Sequence, residues 1–509
     1  MGKKFKVAGI KALIYFGLLF FCYLWITNLT MVYYPDVDAR VFEFIGKAWT
    51  QGTVPYSYYF DHKGPVVFGF FALSYLIDGT RHGVAVMWSI WMALSICLTE
   101  EFVVRLNLVK SKIPNTIFSY FLSTFIVMVF YSITGTASVV IGDIVMPFVI
   151  LMALIYQTWV IKGNFLETKG VHYLYGFLCM TVILARASDA IFVFLLYAIY
   201  WFQTLFVSKK YKECLVRFFL TVAGGFTPFA IALAYFGHYG CVNQFMFSTF
   251  LVNFRYHVPP DPDLPPSKLI ITMFIALIGI CITIFVTRKK EEKPLLVAPL
   301  FAFMIHMAFW YGTAKFEQYC VCYIADFLCF AFVCTVVFMK MTENQYLLKK
   351  HVAMISSAII LTLCGGVWYA KANLTQLQSF YDMVAVENNR LADEIIASGD
   401  SVLVLDNSEL VMALMDRGYM NPCKYFNNQW WDIQCNLATE DDIVNAILES
   451  SPDYLYESGH YERDHEHVVP GYRMTSSIDL SVKMLKDNHL EEYADQNTGY
   501  VYYIYEKEW

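Results

Sequence analysis

Long apolar runs recur along the first 370 residues, at about 10–32, 84–106, 116–133, 143–161, 171–187, 190–207, 214–236, 269–287, 294–311, 319–339 and 351–370. Most reach the roughly 20 residues that a helix needs to cross the hydrocarbon core of a bilayer. They predict a polytopic α-helical membrane protein of about eleven spans, of which the 171–187 run is short and carries Arg186. Polarity is concentrated in the first long break, residues 33–83, which opens with Asp36 and Asp38 and continues through Asp61, His62 and Lys63. Between these groups Val41, Phe42, Ile45 and Trp49 recur at helical spacing, which predicts an amphipathic helix along the membrane surface. Residues 66–83 are apolar but too short to cross, and Asp78, Arg81 and His82 close them, so they read as an interfacial or re-entrant helix. Beyond residue 371 the runs become short and are separated by polar turns. Ser401 to Leu405 reads as a buried strand, Glu409 to Asp416 as a helix ended by Gly418, and Pro452 to Tyr456 and Tyr500 to Tyr505 as further strands. The chain thus divides into a membrane module, 1–370, and a small C-terminal α/β or α+β domain, 371–509.

Charge sets the expected orientation. Lys3, Lys4 and Lys6 precede the first run. Lys110 and Lys112, Lys162 and Lys169, Lys209, Lys210 and Lys212, Arg288 to Lys293, and Lys340, Lys349 and Lys350 fill every second connection. The positive-inside rule makes these cytoplasmic and puts the 33–83 segment and the C-terminal domain outside. Residues 371–509 hold 25 of the 43 acidic residues and only 9 of the 37 basic ones, as an extracytoplasmic domain would. The expected location is the plasma membrane, multi-pass, with a cytoplasmic N-terminus and a first span retained for lack of a signal-peptidase pattern. At 58% hydrophobic and 16% charged, the composition excludes an ordinary soluble domain, whose charged share is about 25%. The acidic C-terminal part argues against nucleic acid as a partner. Most of the 13 cysteines lie in apolar runs as small buried hydrophobes, with no zinc-type spacing. Cys423 and Cys435 are both expected outside, where a disulfide between them is open.

Further ionisable residues fall at predicted outer ends of the spans. Asp143 follows a small, flexible loop at 132–142 and precedes Met146-Pro147-Phe148; it reads either as a site acid or as the N-cap of the fourth span. Arg186-Ala187-Ser188-Asp189 lies at an outer turn, where Arg186 either faces a polar interior or pairs locally with Asp189. The loop at 237–268 ends in the breaker run Pro259 to Pro266, which favours an extended segment, either a gate for lipid or acceptor or a simple connector. Lys315 lies just before Gln318-Tyr319, at the outer start of the tenth span.

The order of parts, an acid after the first span, a surface helix, Gly52-x-x-Pro55-Tyr56, then Phe60-Asp61-His62-Lys63-Gly64-Pro65, resembles bacterial membrane glycosyltransferases of the C type, relatives of the protein mannosyltransferases and of the aminoarabinose transferase acting on lipid A. The resemblance is strongest over 33–148. It departs at Asp143, one acid where a pair is usual, and at Gln318-Tyr319, where many relatives have His-Tyr. It implies a polyprenyl-phosphate sugar as donor, an envelope glycan, lipid or protein as acceptor, and inversion of the anomeric centre. By the same resemblance Asp38 is the general base with Asp36 as runner-up, and an external C-terminal domain is a common companion.

Such a transfer needs a proton acceptor for the attacking hydroxyl and positive charge for the departing phosphate. Asp38, Asp36 and Asp143 supply the first. His62, Lys63, Arg186 and Lys315 supply the second. No glycine-rich nucleotide loop occurs, consistent with a lipid donor. No cofactor is certain, and the three aspartates leave a divalent cation open. The competing reading is a transporter or flippase of a lipid-linked or small polar substrate, which should carry midplane charges and internal repeats; none of the latter is evident.

Overall fold

A computed structural model describes residues 15–27, 37–133, 141–255, 266–287, 292–312, 324–342, 346–372, 375–405, 408–426, 433, 436–458, 469–479 and 501–508. Each of the eleven apolar runs holds a helix among the described residues. Those helices are α1 (Tyr15–Thr27), α4 (Arg81–Val104), α5 (Lys112–Ile133), α6 (Ile141–Lys162), α7 (Lys169–Ile183), α8 (Ile191–Ser208), α9 (Tyr211–His238), α11 (Pro266–Val286), α12 (Glu292–Gly312), α13 (Ile324–Met341) and α14 (Lys350–Ala372). Six helices among the described residues are long and apolar enough to cross a membrane, namely Arg81–Val104, Lys112–Tyr131, Ile141–Lys162, Ala187–Ser208, Tyr211–His238 and Ile324–Met341.

Two shorter helices fill the first long break, α2 (Val37–Thr50) and α3 (Pro65–Asp78). At 14 residues α3 spans only about 21 Å, short of the hydrocarbon core, and a left-handed Gly79 turns the chain at once into α4. The short α10 (Val242–Met246) runs into one π-helical turn and one 3₁₀ turn that end at Phe254.

Glycines set the closest crossings. A Cβ on Gly176 of α7 would stand 1.9 Å from Thr221 O, and one on Gly224 of α9 1.9 Å from Tyr173 O, so these helices meet backbone to backbone. Gly46 does the same for α2 on α3, where a Cβ would sit 2.5 Å from that of Phe71.

The C-terminal region adds α15 (Thr375–Ser398), α16 (Ser408–Asp416), α17 (Glu440–Ser450) and four strands, β1 (Val402–Leu405), β2 (Tyr454–Ser458), β3 (Tyr472–Asp479) and β4 (Val501–Lys507), in the order β1-β2-β4-β3. β1 and β2 are parallel, which requires the helical crossover between them, while β4 is antiparallel to both its neighbours. The capping box of Thr439 and Asp442 starts α17, and Gly418 at φ +83° follows α16 as expected. β3, α15 and α17 are additions to the elements read from the sequence. The apolar core is continuous from α1 and α2 through the spans to Val402, Leu410 and Phe426 of the C-terminal region.

Candidate functional site

The helix expected to lie on the membrane surface is instead enclosed. α2 forms where predicted, and its stripe of Val41, Phe42 and Ile45 is buried, but Arg40, Glu43 and Lys47 on its other sides are at most 7% exposed. Charges withdrawn from water must be paired, and these are. Glu43 Oε2 accepts from Arg40 Nη1 at 3.0 Å, while Oε1 accepts from Arg81 Nε at 3.1 Å and from the Tyr75 hydroxyl at 2.6 Å. Lys47 pairs with Asp416 of α16, which ties α2 to the C-terminal region, and burial lowers the pKa of its ammonium. Arg40, Glu43 and Lys47 recur at steps of three and four, and that spacing was the available sign of a second, charged helix face. Tyr75 and Arg81 lie too far along the chain for any local pattern to assign them to it.

The chain between α2 and α3 is pinned from three sides. Tyr56 takes the left-handed conformation, φ +66°, and sits in an aromatic box of Phe68, Phe236 and Phe245 with ring centroids 5.2–5.9 Å away. Its hydroxyl donates to Lys63 O at 2.7 Å and accepts from Thr249 at 3.3 Å, so it closes the 56–63 loop. Burial raises its pKa well above the usual phenol value and keeps it a neutral donor. Asn253 Nδ2 donates to His62 O at 3.2 Å, and Asp61 Oδ1 accepts from Lys63 N at 2.7 Å. From the C-terminal side, Phe60 N donates to Lys424 O at 3.1 Å and the Tyr59 hydroxyl to Asn421 O at 3.1 Å, with the Phe44 and Phe426 rings tilted against each other at 4.4 Å between centroids.

Gly64 then brings two predicted cationic segments together. Its N–H donates to Ala185 O at 3.1 Å and Val66 N to Leu184 O at 3.2 Å, and a Cβ on Gly64 would lie 1.8 Å from Leu184 O. Lys63 and Arg186 therefore each lie one residue from a shared backbone contact. Arg186 Nε is 2.8 Å from Asp189 Oδ1, so the local pairing weighed from the sequence occurs and orients the guanidinium. The Lys63 ammonium contacts the His62 ring and lies 5.7 Å from the centre of the Phe42 ring. Phe42 is one helical turn after Asp38, on the same face of α2. Asp38 is the second residue of that helix, inside its first turn rather than ahead of it, where the helix dipole favours a carboxylate.

Asp143 is buried in the first turn of α6, third in the helix rather than at its N-cap, and Trp91 Nε1 donates to the next carbonyl, Ile144 O, at 2.8 Å. Asp36, Lys315, Gln318-Tyr319, the proline run at 259–265 and Cys435 lie outside the described residues, as does the side chain of Asp38. Cys423 is buried in the core beneath the sheet. Among the described residues no three His, Cys, Asp or Glu side chains gather as metal ligands would.

One buried pair was not singled out from the sequence. His306 Nδ1 of α12 lies 2.9 Å from Asp326 Oδ1 of α13, both side chains fully buried, and the His306 ring is 6.1 Å from Phe192 near the start of α8. Each stands as a lone ionisable residue in an apolar run, which is the signal that marks a polar interior in a membrane protein.

No protein-family model and no curated protein sequence matches this chain. Solved structures similar to it include the oligosaccharyltransferase of Archaeoglobus fulgidus in its apo form, at 12% identity and a TM-score of 0.41, with 87% of this chain and 69% of that one covered. They also include the oligosaccharyltransferase AglB of the same organism in complex with an inhibitory peptide and a dolichol-phosphate, at 11% identity and a TM-score of 0.40, with 88% and 70% covered.

Proposed function

We propose that this chain is an integral membrane glycosyltransferase of the C type, moving a sugar from a polyprenyl-phosphate donor to an envelope glycan, lipid or protein on the extracytoplasmic face. The observation that carries the reading is the convergence at Gly64, which joins the His62-Lys63 loop to the Arg186 turn while Lys63 rests against α2 one turn from Asp38. A general base for the attacking hydroxyl and cations for the departing phosphate are what the transfer requires.

In this mechanism the acceptor hydroxyl oxygen forms its bond to the anomeric carbon as the bond from that carbon to the donor phosphate breaks. Its proton passes to the Asp38 carboxylate. A single displacement inverts the centre. Lys63, His62 and Arg186, with Lys315, offset the charge that builds on the departing phosphate, the guanidinium by paired N–H donors and the ammonium as a point charge. The Tyr56 and Asn253 bonds to the loop carbonyls hold that cationic edge in one geometry before substrate arrives.

Lys63→Ala should weaken use of the lipid phosphate donor by about 1–3 kcal/mol, the worth of a charged hydrogen-bond partner, seen as a raised donor KM. Unchanged donor kinetics would remove Lys63 from the phosphate site. Orientation follows the lysine pattern, with 371–509 as an external domain. Cysteines placed at 57 and 460 should label from outside and one at 290 from inside, and external labelling of 290 would overturn the assigned face.

A transporter or flippase is the second reading, favoured by one observation, the fully buried His306–Asp326 pair between two apolar helices. Formation of a new glycosidic product separates the two.

A further inference from the structure

A cavity with a largely apolar lining and a few polar groups lies at the opposite end of α7 and α8 from Arg186. It measures about 240 Å³ and is lined by the α6–α7 connection and by the end of α8, with Phe165, Glu167, Tyr200, Gln203, Ser208 and Lys210 among its walls. The eighteen residues of α8 put it roughly 27 Å from the Arg186 turn, too far to share a ligand with that site.

The cavity is rigidly built. Arg217 Nε donates to Leu166 O at 2.8 Å, His172 Nε2 to Phe165 O at 2.7 Å and Trp159 Nε1 to Thr168 Oγ1 at 2.8 Å, so the connecting loop is held from three helices. Lys209 ends α8 in the left-handed conformation, φ +54°, and Lys210 N then donates to Ser208 Oγ at 3.3 Å, which sets Lys210 on the rim. Gln203 Oε1 is a buried acceptor in the wall with no hydrogen-bond partner among the described residues. Beside the opening, Phe202, Phe206 and Val207 expose an apolar flank of α8.

This inventory has a definite complement. One ammonium on the rim suits a phosphate. A carboxylate and a buried amide oxygen want a donor, cationic if possible. An exposed apolar flank at the end of a membrane helix suits acyl chains. We infer that the cavity seats the headgroup of an ethanolamine phospholipid, its phosphate against Lys210 and its ammonium between Glu167 and Gln203 Oε1, with the chains along α8. Lys210 offers a lipid phosphate one point charge at the helix end, and the acceptor pair adds a preference for a headgroup with N–H donors over one without.

The test is native mass spectrometry of the delipidated full chain with phosphatidylethanolamine or phosphatidylcholine added back. Retention of the ethanolamine lipid should exceed that of the choline lipid by about tenfold, the worth of one charged hydrogen bond. Lys210→Gln should lower retention of both lipids. Glu167→Gln combined with Gln203→Leu should erase the difference between them, while Lys212→Gln, outside the cavity, should change neither. Equal retention of the two lipids by the unaltered chain would overturn the inference, as would a loss in Lys212→Gln matching that in Lys210→Gln. Displacement of the lipid by soluble glycerophosphoethanolamine at equal concentration would assign the cavity to a free phosphate ester and overturn the lipid assignment.

Discussion

Replacing Asp38 by Asn should lower turnover about 100-fold or more while donor binding survives, because the amide keeps the size and hydrogen bonding of the carboxylate but cannot accept the proton of the acceptor hydroxyl. The position in the first turn of α2 sharpens this expectation. Asn is well tolerated near a helix start, so the substitution tests chemistry with little cost to the fold. Asp36→Asn should do less. An equal or larger loss at Asp36 would reverse the two roles, and a folded Asp38→Asn chain with full transfer activity would remove Asp38 from the mechanism. Melting and monodispersity in detergent check folding separately.

Gly64→Ala should raise the donor KM by about tenfold or more and lower stability by about 1–3 kcal/mol. The backbone at Gly64, φ −82° and ψ 162°, suits alanine, so the cost comes from contact alone. A Cβ there would sit 1.8 Å from Leu184 O and 2.4 Å from Leu184 C, both backbone atoms with no side-chain rotation to relieve them. The 61–64 loop must then part from the 184–186 turn, which separates Lys63 from Arg186. Gly69→Ala is the matched control, since its Cβ would meet only the Trp49 ring at an ordinary 3.7 Å. Donor kinetics that stay level in Gly64→Ala would show that the two cationic segments need not be joined.

Much of the architecture was legible because a bilayer demands long apolar runs and a strand demands short ones. Each of the eleven runs holds a helix among the described residues, and Ser401 to Leu405 and Tyr500 to Tyr505 fall on β1 and β4. The environment of α2 was not legible. Its apolar stripe predicts a surface helix, and its burial depends on Arg81, Tyr75 and Asp416, partners 32 to 369 residues distant from the residues they meet. The same holds for the site. His62, Lys63 and Arg186 stand out by residue type, but their convergence rests on Gly64, a residue chosen for the absence of a side chain, against a carbonyl 120 residues away in sequence. α15 escaped notice because a largely polar helix shows little of the apolar run that marked the spans. His306 and Asp326 were visible singly, and only the packing of α12 on α13 makes them a pair.

The claim at the centre of this account is that the Asp38 face of α2 and the Lys63–Arg186 junction together cleave a lipid-linked sugar phosphate. Its most direct test is release of polyprenyl phosphate from a polyprenyl-phosphate sugar by the purified chain in the presence of an acceptor, followed by mass spectrometry of both products. The account predicts release matched mole for mole by new glycoside, falling about 100-fold or more in Asp38→Asn. Movement of the intact lipid-linked sugar between leaflets with no phosphate released would contradict it and favour the transporter.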